Sequence, residues 1–471
     1  MVNKEIFRKY DIRGIVDKDL TDETVRLIGK AYGIYLKNRT GKDFNKLTVT
    51  IGRDARLSSE RFFNDLKEAL TSLGINVINL GMCPTPLLYF SLFVLENIDG
   101  GIMITGSHNP PEFNGFKLCV NKETLSDDEI LEIYKITKNI GEFENKFLKG
   151  SVKDYDICSH YIDFMVNHFK DIKGKGKFKV VLDSGNGVAG FVAPEILKRL
   201  DFEVIDLFSE PDGNFPNHHP DPTIVENLRF LIDKVKKEKA YLGIGFDGDA
   251  DRIGAVDENG KIIWGDQLLI IYSREILKNE KGAKIIGDVK CSQVLFDDVE
   301  KNGGIPIMWK TGHSLIKKKL KEEKAKIAGE MSGHIFFADR YFGYDDAIYA
   351  GLRLVEIIVK EGKRLSEIIS DLPETYVTEE IRIDCPENKK FKIPEILKEK
   401  IKEIHELDEE IEDIITIDGI RIIFKSGWGL VRASNTQPVL VLRFEGYTPE
   451  KRDFYRKKIE EILRKLLWKR K

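Results

Sequence analysis

A chain of 471 residues exceeds what one hydrophobic core usually supports, so at least three domains of roughly 100 to 150 residues each are expected. Its 75 Lys and Arg against 78 Asp and Glu leave a net charge of -3, which argues against nucleic acid or an anionic membrane as the main partner. Any anion site must therefore be local.

The first five residues, Met-Val-Asn-Lys-Glu, contain no apolar signal core, and a cytoplasmic protein is expected. A unit of apolar strand, polar or glycine-rich turn, helix and second apolar strand then recurs three times, each within the span of a βαβ crossover. Its first copy runs from a strand at 47–51 through Gly52 and Arg56 into a helix at 59–73 and a strand at 77–80. The longest apolar stretch, 87–95, contains Ser91 and is too short to span a bilayer. The second copy joins strands at 180–182 and 204–207 by a helix ending near Leu200, and the third joins 284–286 and 305–308 by a helix ending near Lys301. Gly74 and Gly303 stand just past two of these helices, where a left-handed terminating residue is expected. From about Asp371 the texture changes to alternating strands, as at 380–383 and 439–444, with helices around 393–405 and 450–467. The fold class is therefore α/β: three related mixed α/β domains around a central cleft, at 1–150, 151–255 and 256–370, plus a C-terminal α+β domain at 371–471. Five cysteines lie far apart with no C-x-x-C pair, and are expected to be reduced and structural.

Four polar loops each follow an apolar strand. The strand at 101–105 runs into Gly106-Ser107-His108-Asn109-Pro110-Pro111, which sets a serine on a glycine-permitted turn at a strand's C-terminal end, exposed to a ligand. Taken alone, the segment also reads as an ordinary Ser/Asn-Pro turn. A serine-hydrolase reading is weaker, because the neighbours Ser107 and His108 should point apart and no G-x-S-x-G elbow surrounds them. The strand at 241–246 ends in Asp247-Gly-Asp249-Ala-Asp251-Arg252, three carboxylates at alternate positions that would repel one another without a cation. Oxygen ligands with few protein donors suit Mg²⁺, which completes its shell with phosphate oxygen or water. An EF-hand would place Glu258 at loop position 12, but Arg252 replaces the glycine of position 6 and the lead-in is a strand. A solvated acidic turn is the plainer alternative. Arg252 adds a cation beside whatever anion the metal meets.

Gly329-Glu330-Met331-Ser332-Gly333-His334 offers a carboxylate and a hydroxyl between two glycines, suited to paired sugar hydroxyls, though alone it is also a common turn. Arg432-Ala433-Ser434-Asn435-Thr436-Gln437-Pro438 packs donors with no acidic residue, as a phosphate or carboxylate clamp would, or as a plain hairpin. That four successive segments each supply one such loop favours a shared ligand site at strand ends and between domains. Gly185-Asn-Gly187-Val-Ala-Gly190 matches a dinucleotide fingerprint, with Asp206 ending the next strand, yet it accounts for none of the other loops and reads as a tight turn.

Segments 105–110, 245–252, 329–334 and 432–438, with the opening Phe7-Arg8-Lys9-Tyr10-Asp11-Ile12-Arg13-Gly14, resemble the active-site loops and N-terminal motif of the α-D-phosphohexomutase family. They stand in family order and at family spacing over essentially the whole chain, and look most similar to its phosphomannomutase/phosphoglucomutase members. The resemblance implies that Ser107 carries a phosphoryl group and that Asp247, Asp249 and Asp251, with a phosphoserine oxygen from Ser107, bind Mg²⁺. It implies sugar contacts from Glu330 and Ser332, and a hold on the non-reacting phosphate by Arg432, Ser434, Asn435 and Thr436, with Tyr10 helping. Arg13, Lys117, Arg252, Lys290, His313 and His334 would line the cleft, and His108 joins the catalytic set. Lys117 and His313 are the candidates for acid/base work, with plain hydrogen bonding as the alternative.

The implied reaction interconverts hexose 1-phosphate and hexose 6-phosphate, of mannose or glucose, through a hexose 1,6-bisphosphate, and the expected partners are small sugar phosphates. Competing readings are a phosphoglucosamine mutase of the same family and a haloacid-dehalogenase-type phosphatase with Asp247 as nucleophile, against which Asp251 stands where Thr or Val belongs. A nicotinamide oxidoreductase built on the 185–190 glycines and a non-catalytic sugar-binding protein complete the field.

Overall fold

The computed structural model describes residues 2–140, 148–176, 178–403, 407, 410–434 and 438–467. The chain divides into two compact units, one comprising residues up to Glu275 with Ser332–Ile369, the other Ile276–Met331 with the residues from Ser370 onward.

The first unit holds two sheets. One orders its strands Ile12–Ile15, Phe113–Val120, Gly100–Ile104, Thr48–Arg53, Asn76–Met82 and Val152–Asp154, with Glu123–Thr124 beside Phe113–Val120. The strands from Gly100–Ile104 to Val152–Asp154 pair in parallel, whereas Phe113–Val120 pairs antiparallel with Gly100–Ile104 on one side and Ile12–Ile15 on the other, so the sheet is mixed. Local sequence explains its helices. Asp22–Thr40 starts where the Thr21 hydroxyl accepts the amide of Thr24 and stops at Gly41, whose φ of 69° lies in the left-handed region. Ser59–Ser72 buries Phe62, Phe63, Leu66, Ala69 and Leu70, the three-and-four spacing of one helix face. The second sheet orders Ile262–Ile263, Ile253–Asp257, Leu242–Phe246, Lys179–Asp183 and Glu203–Leu207. There the expected turn reading of the 185–190 glycines holds: Gly185 has φ 49°, a Cβ on Gly187 would press on the Gly248 carbonyl, and one on Gly190 would strike the Ser209 backbone.

An aromatic cluster binds helices of this unit together. Phe90 meets Tyr161 and Phe164 edge-on at 5.3 and 5.1 Å, and Tyr341 stacks on Tyr349 at 4.0 Å. At its centre Asp346 caps the buried helix Ala347–Glu361 through the Tyr349 amide and accepts hydrogen bonds from the Tyr161 and Tyr341 hydroxyls, both at 2.8 Å. Burial outweighs these donors and raises the carboxyl to about 6. The folded protein therefore holds a proton there that the unfolded chain has released between about pH 4 and pH 6, and stability from this group falls as pH rises through that window. The rise to about 6 corresponds to about 3 kcal/mol. Urea midpoints of the native protein and Asp346→Asn, compared from pH 4 to 7, are expected to show this decline in the native protein alone; parallel profiles would contradict it.

The second unit holds three parallel strands, Ile305–Trp309, Lys284–Asp288 and Ile327–Gly329. It also holds an antiparallel sheet ordered Tyr376–Val377, Val439–Gly446, Gly427–Ala433, Ile420–Phe424 and Ile411–Ile415, with Ile381–Asp384 also on Val439–Gly446. Helices Ile393–Ile401 and Pro449–Leu467 cover a core of Leu397, Ile420, Phe444, Tyr455 and Ile459. The helix expected at 393–405 thus ends at Ile401, and His405 lies outside the described residues. Arg421 is fully buried, stacks on Trp428 at 3.9 Å and donates to the carbonyls of Val289 and Cys291, joining the antiparallel sheet to the loop after Lys284–Asp288. None of the five cysteines forms a disulfide, and among the described residues no helix is long and apolar enough to cross a membrane.

Candidate active site

In the first unit the serine and aspartate loops meet. Strand Gly100–Ile104 delivers Ser107 into a turn with φ 48°, a left-handed conformation uncommon for a residue with a Cβ. Its amide donates to the Thr105 hydroxyl, and its hydroxyl donates to Asp247 Oδ2 at 2.7 Å. The expectation that Ser107 and His108 diverge is wrong: His108 Nδ1 lies 3.0 Å from Ser107 Oγ. The left-handed backbone turns two neighbouring side chains toward one another. Burial, with Arg252 and Arg13 nearby, pushes His108 well below its usual range, so the imidazole is neutral at neutral pH.

The aspartates sit on the hairpin between Leu242–Phe246 and Ile253–Asp257. Asp247 Oδ1 accepts the amides of Asp251 and Arg252, and Ala250 at φ 61° completes the turn. All three carboxylates are fully buried and present oxygens within 4.8 Å of one another. Lys117 compensates part of this charge: its ammonium contacts Asp249 Oδ2 at 2.8 Å and pairs more closely with Asp251 Oδ2. Burial opposes the charge on Lys117, but Asp249, Asp251 and Asp345 outweigh it and hold the group firmly protonated. Lys117 therefore supplies positive charge and hydrogen bonds at neutral pH and cannot accept a proton. Burial likewise works to raise Asp249, yet Lys117, Asp247 and the Thr85 hydroxyl hold it below the carboxylate range, while burial with the neighbouring Asp249 and Asp251 pushes Asp247 well above it.

Among the described residues neither Asp249 Oδ1 nor Asp251 Oδ1 has a hydrogen-bond partner, so each aspartate keeps one buried oxygen clear of Lys117. Buried carboxylate oxygens not spent on hydrogen bonds, beside a serine hydroxyl, fit a hard divalent cation.

Around this core, Arg13 donates to the Gly106 carbonyl and to Asn109 Oδ1, and pairs with Asp11 at 2.5 Å. Arg252 Nε donates to His334 Nε2 at 3.0 Å, which leaves the imidazole proton on Nδ1, facing Asp345 at 3.2 Å and Asp251 at 3.6 Å. The Gly333 carbonyl beside Ser332 accepts the Ile253 amide, so the segment carrying Ser332 and His334 is fastened to the strand that leaves the aspartate loop. Tyr10 lies beneath the Lys9 ammonium, just before strand Ile12–Ile15.

The second unit assembles a separate group. Glu330 accepts the Gly312 amide at 2.6 Å, and His313 opens helix His313–Glu323 one residue later. Asp418 accepts from Arg432 Nε at 3.1 Å and from the Thr311 amide at 3.2 Å, tying the Arg432 loop to the His313 loop. The segment 432–438 itself holds no acidic residue, and the carboxylate that reaches it comes from 14 residues upstream. Lys290 stands 3.7 Å from Glu380, and the Ser434 amide donates to the Val439 carbonyl. Asn435 and Thr436 lie outside the described residues.

Asp288, which accepts the Thr311 hydroxyl at 2.9 Å, Asp345 and Asp418 escaped sequence reading, because each acts on a partner outside its own turn and stands in no motif. One signal was available for Asp288, which ends a buried strand of the same repeat whose other copies end in named loops.

Family models for the four domains of phosphoglucomutase/phosphomannomutase match the chain: the alpha/beta/alpha domains I, II and III at residues 4–144, 159–260 and 264–376, and the C-terminal domain at 380–462. The chain is 46% identical over 446 residues to a phosphomannomutase/phosphoglucomutase of Pseudomonas aeruginosa, covering 94% of this chain and 92% of that protein. It is 44% identical to a phosphoglucomutase of Neisseria gonorrhoeae, with 95% and 94% covered. A crystal structure of a phosphoglucomutase/phosphomannomutase family protein from Burkholderia thailandensis superposes with a TM-score of 0.89 at 39% identity, covering 98% of each chain. The chain belongs to the phosphoglucomutase/phosphomannomutase family.

Proposed function

We propose that this protein interconverts hexose 1-phosphates and hexose 6-phosphates of glucose and mannose, with Ser107 as the phosphoryl carrier. The observation that carries the reading is the hydroxyl of Ser107, aimed at Asp247 from a left-handed turn and flanked by His108. Phospho-Ser107 would give its phosphoryl group to the free hydroxyl of the hexose phosphate. The P–O bond to serine breaks, one to the sugar forms, and the sugar hydroxyl loses its proton. The resulting hexose 1,6-bisphosphate returns its other phosphoryl group to Ser107, and the proton returns to the sugar oxygen. Because the protein makes few bonds in such transfers, its contribution is placement and charge. His108, neutral and 3.0 Å from Oγ, can move a proton at that oxygen; Arg13 and Arg252 supply cations for the phosphoryl oxygens.

Asp247, Asp249 and Asp251, with an oxygen on Ser107, would hold Mg²⁺, which when bound neutralises charge on the transferring group. Glu330 and Ser332 would read the sugar hydroxyls, and Arg432, Ser434, Asn435 and Thr436 the phosphate that does not react. The four segments with boundaries near 150, 255 and 370 would each supply one of these loops.

Relatives named for both sugars favour mannose and glucose together over an amino sugar. Phosphorus NMR of the protein with mannose 1-phosphate or glucose 1-phosphate, Mg²⁺ and a trace of hexose 1,6-bisphosphate tests the reading. Formation of both 6-phosphates supports it. Release of free phosphate would point to a phosphatase, and turnover of glucosamine phosphate alone to an amino-sugar mutase.

A further inference from the structure

The turn after strand Thr48–Arg53 carries a buried cation that the reaction scheme leaves unused. Arg56 has a fully buried side chain, and its guanidinium is spent on the serine loop. Nη1 donates to the carbonyls of Pro110 and Phe113 at 2.6 and 2.8 Å, and Nη2 to those of Ser107 and Asn109 at 2.8 and 2.5 Å. Asp54 holds the clamp from below: it pairs with Arg56 Nε at 3.3 Å, accepts the Arg56 amide and the Ser59 hydroxyl, and accepts the amide of Gly106 at 3.1 Å. Gly106 makes room for this contact, since a Cβ there would sit on the guanidinium. From above, the Phe215 ring lies 5.3 Å over the guanidinium and Gly213 packs on the Arg56 backbone.

We infer that Arg56 is a positioning residue for phosphoryl transfer: by gathering four carbonyls of the 107–113 loop it fixes the left-handed turn at Ser107 and so the direction of its hydroxyl. A planar guanidinium offers donors in a fixed fork, whereas an ammonium presents a point charge that cannot span four carbonyls in one plane. The inference rests on Ser107 as carrier, and the experiment separates the two.

Native protein, Arg56→Lys and Gly106→Ala are mixed with glucose 1,6-bisphosphate and Mg²⁺, and the single-turnover rate constant for phosphate uptake on Ser107 is followed by intact mass. This rate constant does not depend on the fraction of molecules folded, so a loss of stability alone would not move it. Gly106→Ala pushes on the same guanidinium without removing its charge and serves if Arg56→Lys does not fold. Misplacing a reacting group by about 1 Å can cost about 100-fold, and a slowing of that order is expected in each variant, with KM for glucose 1-phosphate little changed. Rate constants within about threefold of native, or a change confined to KM, would overturn the positioning role. A native protein that takes up no phosphate on Ser107 would instead overturn the carrier reading and the inference with it.

Discussion

Replacing Ser107 with alanine is expected to lower hexose-phosphate isomerisation by roughly 10⁴-fold or more while leaving the fold in place and the three aspartates still able to bind metal with one oxygen ligand fewer, because the variant deletes the atom that bonds to phosphorus. The site predicts the second half of that statement as firmly as the first. Alanine at φ 48° carries the same Cβ as serine, so the backbone cost of the turn is unchanged, and the clamp from Arg56 and Arg13 acts on carbonyls and on Asn109, not on the hydroxyl. The lost hydrogen bond to Asp247 Oδ2 leaves Oδ1 with its two amide donors. Turnover is measured by coupled assay and metal binding by titration calorimetry. Activity within tenfold of native would exclude Ser107 as carrier.

Removing the charge at Lys117 should have the largest effect on stability. Lys117→Gln leaves Asp249 and Asp251 buried with no ammonium between them, and breaking a buried pair in this way costs about 3 to 5 kcal/mol. Two consequences follow for denaturation midpoints. In chelator the variant should unfold well below the native protein. Added Mg²⁺ should raise the variant's midpoint more than the native one, because an ion that binds the folded state stabilises it in proportion to affinity, and the variant's aspartates lack a competing cation. Equal midpoints in chelator would show that the ammonium contributes no net stabilisation. Turnover should fall as well, since the ammonium fixes two of the three clustered aspartates.

The features legible in the sequence were those with short range. Asp247, Asp249 and Asp251 could be read because one turn holds all three. The strand–turn–helix–strand units could be read because burial of both sheet faces leaves unbroken apolar runs, as at Lys179–Asp183 and Lys284–Asp288. Partnerships across the fold could not be read. The contact of Lys117 with Asp249 spans 132 residues, that of Arg56 with the Ser107 carbonyl 51, and that of Arg252 with His334 82. In each case the separate residues were visible but not what they face. The divergence expected of Ser107 and His108 failed for a different reason. It took neighbouring side chains to diverge as they usually do, and the sign of φ at one residue reversed it.

That sign also bears on which amino acid can serve as carrier. Threonine offers a hydroxyl of the same chemistry, but its branched Cβ meets the backbone badly in the left-handed region, where serine pays only the modest cost common to residues with a Cβ. A threonine at position 107 would have to flip the turn to relax, carrying its oxygen away from Asp247 and His108. Backbone geometry thus favours serine here before any difference in reactivity between the two alcohols is counted.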